Sequence, residues 1–146
     1  MKSLNMFSFV YYVLVVLLGL TFSMIYLFHD GFMSYHAEAA GMKWDQLDAK
    51  MHVLIIAMMR VIAGGWLATT LSMSFFLIAR IRFRKIFLSV ALVITGMASL
   101  IPTLLVTLYV RNNSDGRPPW FAAAAGIVIL LVALYFDHKS LKMKNN

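Results

Sequence analysis

Charged side chains fall into clusters along this chain, and the stretches between them are long: residues 3–28, 61–79, 86–110 and 118–136 carry none. These runs lack the apolar–polar alternation of a half-buried strand, and each is far longer than the roughly four to eight residues of a buried one. A hydrocarbon core roughly 30 Å thick is crossed by about 20 helical residues rising 1.5 Å each. Lipid offers backbone amides no partner, so a spanning segment must be a helix or part of a closed barrel, and barrel strands alternate. The pattern therefore predicts an all-α membrane protein, a four-transmembrane-helix bundle. Its spans are expected at about 7–28, 53–79, 86–110 and 119–136, within one membrane domain covering residues 1–146.

Composition sharpens this. A chain 62% hydrophobic and 13% charged, with mean hydropathy +0.81, has neither the surface of a soluble globule nor the polarity of a disordered chain. The absence of cysteine removes disulfides, thiolate metal sites, haem attachment and cysteine nucleophiles. The net charge of +7 follows the spans: Lys2, Arg80, Arg82, Arg84, Lys85, Lys139, Lys142 and Lys144 lie at one end, against Lys43, Lys50, Arg111 and Arg117 at the other. The positive-inside bias puts both termini and the basic link 80–85 in the cytoplasm, with the loop 29–52 outside. Anchoring to anionic lipid accounts for these charges, and no nucleic-acid partner is expected. Ala37, Glu38 and Ala39 form an A-x-A pattern, but the preceding apolar run is too long for a secretory signal, so the first span is expected to be retained.

Asn112, Asn113, Ser114, Asp115 and Gly116 predict a tight turn before a helix opened by Pro118 and Pro119, and the tail after Asp137 is expected to fray. The outer loop holds three of the four histidines, His29, His36 and His52, and four of the six acids, Asp30, Glu38, Asp45 and Asp48. Asp45 and Asp48 suit the amino-terminal cap of the second span, with Trp44 at its entrance. Asp48 and His52 are four residues apart, on one helical face. Arg60 stands roughly 30 Å from Arg80, at the outer edge of the hydrocarbon. Two orientations follow for it. Either it snorkels as an interfacial anchor, or it turns inward and pairs with Glu38, Asp30 or Asp48.

In the third span Thr95, Ser99, Thr103 and Thr107 recur every four residues, and Pro102 predicts a kink. With Thr69, Thr70, Ser72 and Ser74 this stripe either packs helices or lines a small polar cleft. Gly64, Gly65, Ala63 and Ala68, and Ala122 to Gly126, predict close helix approach, and the eleven methionines predict bundle filling. The spans hold no acid for intramembrane proteolysis, and no G-x-S-x-G elbow or phosphate-binding glycine loop occurs. No cofactor is called for.

Tyr35, His36, Ala37, Glu38, Ala39, Gly41 and Trp44, then Met59, Arg60, Gly64, Gly65, Leu67 and Ala68, and finally Pro118, Pro119 and Trp120, resemble a family of small bacterial four-helix inner-membrane proteins. The likeness covers roughly residues 30–125 and is remotely DoxX-like around the arginine and glycines of the second span. It implies bacterial origin and a multi-pass place in the cell inner membrane. A DoxX-like redox cysteine is missing, so oxidoreductase chemistry does not carry over.

The sequence thus points to a non-catalytic small-ligand- or lipid-binding protein or accessory subunit. Its partners would be membrane lipids and a second copy or another membrane protein. The candidate ligand site has Arg60 facing His36 and Glu38 beneath the outer loop, with Trp44 and Trp66 as apolar walls; it would hold an anionic headgroup or carboxylate. A metal-dependent membrane enzyme using His36, Asp48 and His52, or a transporter subunit with a polar path between spans two and three, are the alternatives.

Overall fold

The computed structural model describes residues 2–145, and side chains for residues 6–140. Lys142 and Lys144, and Lys2 at the other terminus, have side chains outside that range. The protein is all-helical, with α1 (Lys2–Phe28), α2 (Ser34–Ala40), a 3₁₀ turn (Trp44–Gln46), α3 (Ala49–Phe83), α4 (Ile86–Asn113) and α5 (Trp120–Asn145). Four of these, α1, α3, α4 and α5, are long and apolar enough to cross a membrane. It is a multi-pass membrane bundle.

Helix ends follow local chemistry. Asp48 caps α3 by accepting from the Met51 amide at 2.9 Å, as the sequence predicts, while Asp45 lies in the 3₁₀ turn. At the far end of α3 the helix runs through Arg80 and Arg82 and stops at Arg84, whose left-handed backbone (φ 52°) reverses the chain into α4. The expected link 80–85 therefore shrinks to Arg84 and Lys85. The α4–α5 turn is closed by Ser114, which donates to the Val110 carbonyl at 2.7 Å and accepts from Gly116 N–H. Pro118 and Pro119 precede α5, and their carbonyls accept from Trp120 and Ala122. α4 runs as one helix through Pro102, and α5, whose residues after Asp137 were expected to fray, continues as helix to Asn145.

Each long helix packs antiparallel against two neighbours, α1 and α4 each lying between α3 and α5. Such a square has an axis that side chains must fill. Toward the α3–α4 link it is filled by Tyr12, Val15, Met73, Leu77, Leu92 and Leu130. Gly19, Gly96 and Gly126 let the helices close there: a Cβ at Gly96 would stand 2.6 Å from Leu130 Cδ1, and one at Gly126 2.9 Å from Leu100 Cδ2. Gly64 and Gly65 do otherwise. They lie exposed with nothing within 4 Å of an added Cβ, so the predicted close approach at this pair is not made inside the bundle. Val61 at 75% exposure, Phe75 and Phe28 share this outward orientation, natural where lipid is the solvent.

α2 and the 3₁₀ turn form a lid across the opposite end. It is seated by Tyr35 on Tyr26, Met33 against the Tyr26–Met59–Ala63 cluster, and Gly116 under the Tyr35 carbonyl. At Gly116 an added Cβ would meet that backbone oxygen at 2.7 Å and Ala39 Cβ at 2.8 Å. Gly116→Ala should therefore unseat the lid, costing about 1–3 kcal/mol in a detergent unfolding titration. Gly65→Ala, in open space, should be neutral or stabilising by up to about 1 kcal/mol.

Candidate functional site

Above the filled segment the square does not close. Between the four long helices and the lid lies a chamber of about 690 Å³, a size suited to a small organic ligand. α1 contributes Leu18, Phe22 and Tyr26; α3 contributes Ile55, Met58, Met59, Ile62 and Trp66; α4 contributes Leu100, Thr103, Val106 and Thr107. Ala122 and Ala123 of α5 leave space, and the lid adds Phe32, Tyr35, His36, Met42 and Leu47. Met58 and Ile62 on α3 and Pro102 and Val106 on α4 belong to the wall yet are exposed, so the chamber opens sideways between these helices.

Of the five residues proposed for the site, His36 and Trp66 line the chamber. Arg60 does not. Its guanidinium donates to Asp30 Oδ1 at 2.8 Å in a pair whose side chains are 35% and 84% exposed, outside the wall. This is one of the pairings considered from sequence, in a surface setting. Glu38 is exposed and accepts from the Arg117 amide at 3.3 Å, remote from Arg60. Trp44 packs over Gly31 and stacks on His52 (centroids 4.2 Å apart), so it knots the lid without lining the chamber. Helix phase is the reason: Met59 turns inward, and the next residue, about 100° further round, turns to the side.

The divalent-ion alternative is not assembled. Asp48 is engaged at the α3 cap, and His52 Nε2 hydrogen-bonds the Trp44 carbonyl at 2.7 Å. Among the described residues no three His, Asp or Glu side chains converge as a metal site. The hydroxyl stripe also divides. Thr69 and Ser99 bond each other at 2.7 Å, and Thr95 returns to its own helix, donating to the Ala91 carbonyl. Only Thr103 and Thr107 reach the chamber, which is an apolar space rather than the polar cleft considered from sequence.

The polar points of the chamber are hydroxyls and one imidazole, with no Lys, Arg, Asp or Glu among them. The Tyr26 and Tyr35 hydroxyls bond each other. Burial pushes the Tyr35 phenol up to about 12, and burial, then the nearby His29 charge, lowers His36 below its ordinary 6.5. The His36 ring lies 4.3 Å from that of Tyr35 and makes no hydrogen bond among the described residues.

A second polar constellation was not foreseen. At the α3–α4 link, Arg80 of α3 donates from Nε to Asp137 Oδ2 of α5 at 2.7 Å, and from Nη2 to Asp137 Oδ1 and to Ser8 Oγ of α1. Ser89 of α4 donates to Asp137 Oδ2 at 2.6 Å, and Ser8 donates to Oδ1. The Tyr12 ring lies under the guanidinium at 5.5 Å. Every long helix thus sends a side chain to one ion pair, whose members are 9% and 2% exposed. Sequence reading assigned Arg80 to a basic surface link and left Asp137 just beyond the end of the fourth span. One signal was present: Asp137 is the sole acid at the basic end, and it directly follows an apolar span.

The chain matches no protein-family model, no curated protein and no solved structure.

Two measurements follow. Asp137→Asn or Arg80→Met leaves a buried charge unpaired and should cost about 3–5 kcal/mol in reversible unfolding, while the double Arg80→Met/Asp137→Leu variant should recover much of that. Because His36 has a lower pKa when the lid is seated than when it is free, the unseated form binds more protons below about 6.5. Lid stability should be complete above that pH and decline as pH falls through and below it. His36→Phe should flatten this dependence in the detergent unfolding midpoint.

Proposed function

We propose that this protein is a bacterial inner-membrane protein that holds an apolar, lipid-derived ligand under its lid, without catalysis of its own, as a binding protein or accessory subunit. The observation that carries this reading is the chamber: about 690 Å³, walled by aliphatic, aromatic and methionine side chains, and open between α3 and α4 where lipid would lie. Apolar walls give an aqueous metabolite little to bind, whereas a hydrocarbon ligand can pass sideways from the bilayer without crossing water. Methionines at positions 42, 51, 58 and 59 add an adaptable, polarisable lining.

Orientation and location rest on the charge pattern and the family resemblance. Eight basic residues at the α3–α4 link and terminal end against five at the lid end, Arg60 included, support termini in the cytoplasm and a lid facing outward. The resemblance around His36, Trp44 and Arg60 supports the bacterial inner membrane. The revised site no longer includes Arg60, Glu38 or Trp44 as ligand contacts, and with them goes the expectation of an anionic headgroup.

Native mass spectrometry of protein released from nanodiscs tests the reading. Wild type should carry about one co-purified lipid-like molecule per chain. Ala122→Trp, which fills the chamber from α5, should lose it while keeping wild-type helicity. Wild type free of any retained molecule, or an Ala122→Trp variant that retains it unchanged, would overturn the proposal.

A further inference from the structure

The chamber also limits the electrical character of its occupant, an argument that rests on the ligand-binding reading above. No Lys, Arg, Asp or Glu is among the residues lining it. Arg60, next in sequence to the wall residue Met59, pairs with Asp30 outside the lining. A charged headgroup drawn into such a space would lack a counter-charge, at a cost of several kcal/mol. A wholly apolar ligand would leave hydrogen-bonding capacity unused, for polar groups are gathered at the lid.

These groups are few and specific. His36, unbonded and edged by Tyr35, Tyr26 and Phe32, offers one ring N–H and one lone pair when neutral. The Tyr26–Tyr35 hydroxyls consume one O–H proton in their mutual bond and leave the other for an acceptor. The Thr107 hydroxyl is already committed to the carbonyls of Thr103 and Leu104, at 2.8 and 3.0 Å, which leaves the Thr103 hydroxyl as the donor on the α4 wall and places the larger group of donors at the lid. Apart from Thr103, the wall below the lid is hydrocarbon and indole down to Trp66 and Leu100.

We infer that the ligand is an uncharged lipid bearing a hydroxyl or carbonyl group, with that group at His36 and the tyrosine pair and its hydrocarbon directed toward Trp66. Fatty alcohols and neutral glycerides are of this chemical class; fatty-acid anions and phospholipids are not.

The test uses the full chain in phosphatidylcholine nanodiscs and three probes: hexadecanol brominated at the tail, bromohexadecane, and tail-brominated hexadecyl sulfate. Bromine quenches tryptophan on contact, and Trp66→Phe identifies the part of the signal that arises in the chamber. The alcohol should quench Trp66 saturably and bind about tenfold more tightly than the alkane, the worth of one net hydrogen bond. The sulfate should bind more weakly than either. His36→Phe should bring the alcohol down to the alkane's affinity with alkane binding unchanged, and His36→Gln, which keeps a donor and an acceptor, should preserve the preference.

Equal affinity for alcohol and alkane, or tighter binding of the sulfate, would overturn the inference while leaving an apolar-ligand chamber intact. If no probe quenches Trp66 saturably, the chamber reading fails as well.

Discussion

In hydrocarbon an apolar side chain gains little by leaving lipid for another helix, so close packing and polar contacts must hold a membrane bundle together. The Arg80–Asp137 pair meets that requirement at the α3–α4 link. Four helices converge on it, with Ser8 and Ser89 occupying the carboxylate oxygens that the guanidinium shares. A charge buried there without its partner would be costly, so the arrangement selects one mutual rotation of the helices over its neighbours. The glycine contacts at positions 19, 96 and 126 then close the apolar middle of the bundle.

Tight closure at one end and a chamber at the other are complementary. Antiparallel helices that cross at an angle approach closely over only part of their length. Here the close segment lies toward the ion pair and is filled by Leu92, Leu130 and Met73, while alanines at 122 and 123 leave room beside the lid. The close packing and the open chamber therefore reside in different halves of the same bundle. The lid belongs to the second half, and its fastenings include the hydroxyl bond between Tyr35 and Tyr26 and the stacking of Trp44 on His52. Contacts of this kind are individually modest, so the lid is held less firmly than the ion-paired end.

Much of the architecture could be read from residue order. Four uncharged runs specify four helices because lipid leaves the backbone no alternative, and the cap at Asp48 and the prolines before α5 have local causes. The site was only half legible. His36 and Trp66, named together from residue order, both line the chamber, whereas Arg60, Glu38 and Trp44, grouped with them, are not among its lining residues. A helix turns about 100° per residue, so a side chain adjacent in sequence to a wall residue faces elsewhere. Arg80 illustrates the opposite error, since its position in a run of basic residues disguised an inward orientation.

What residue order alone determined is the number of long apolar helices and the segregation of basic charge along the chain, because each depends on local hydropathy and the length needed to cross a bilayer. The tertiary structure decided which charges are buried and which are at the surface, that the hydroxyl stripe is largely spent on helix contacts, and that the open space is apolar and uncharged. Those outcomes depend on helix rotation and on residues as distant as Ser8 and Asp137 meeting across the bundle, a relation that no local pattern encodes.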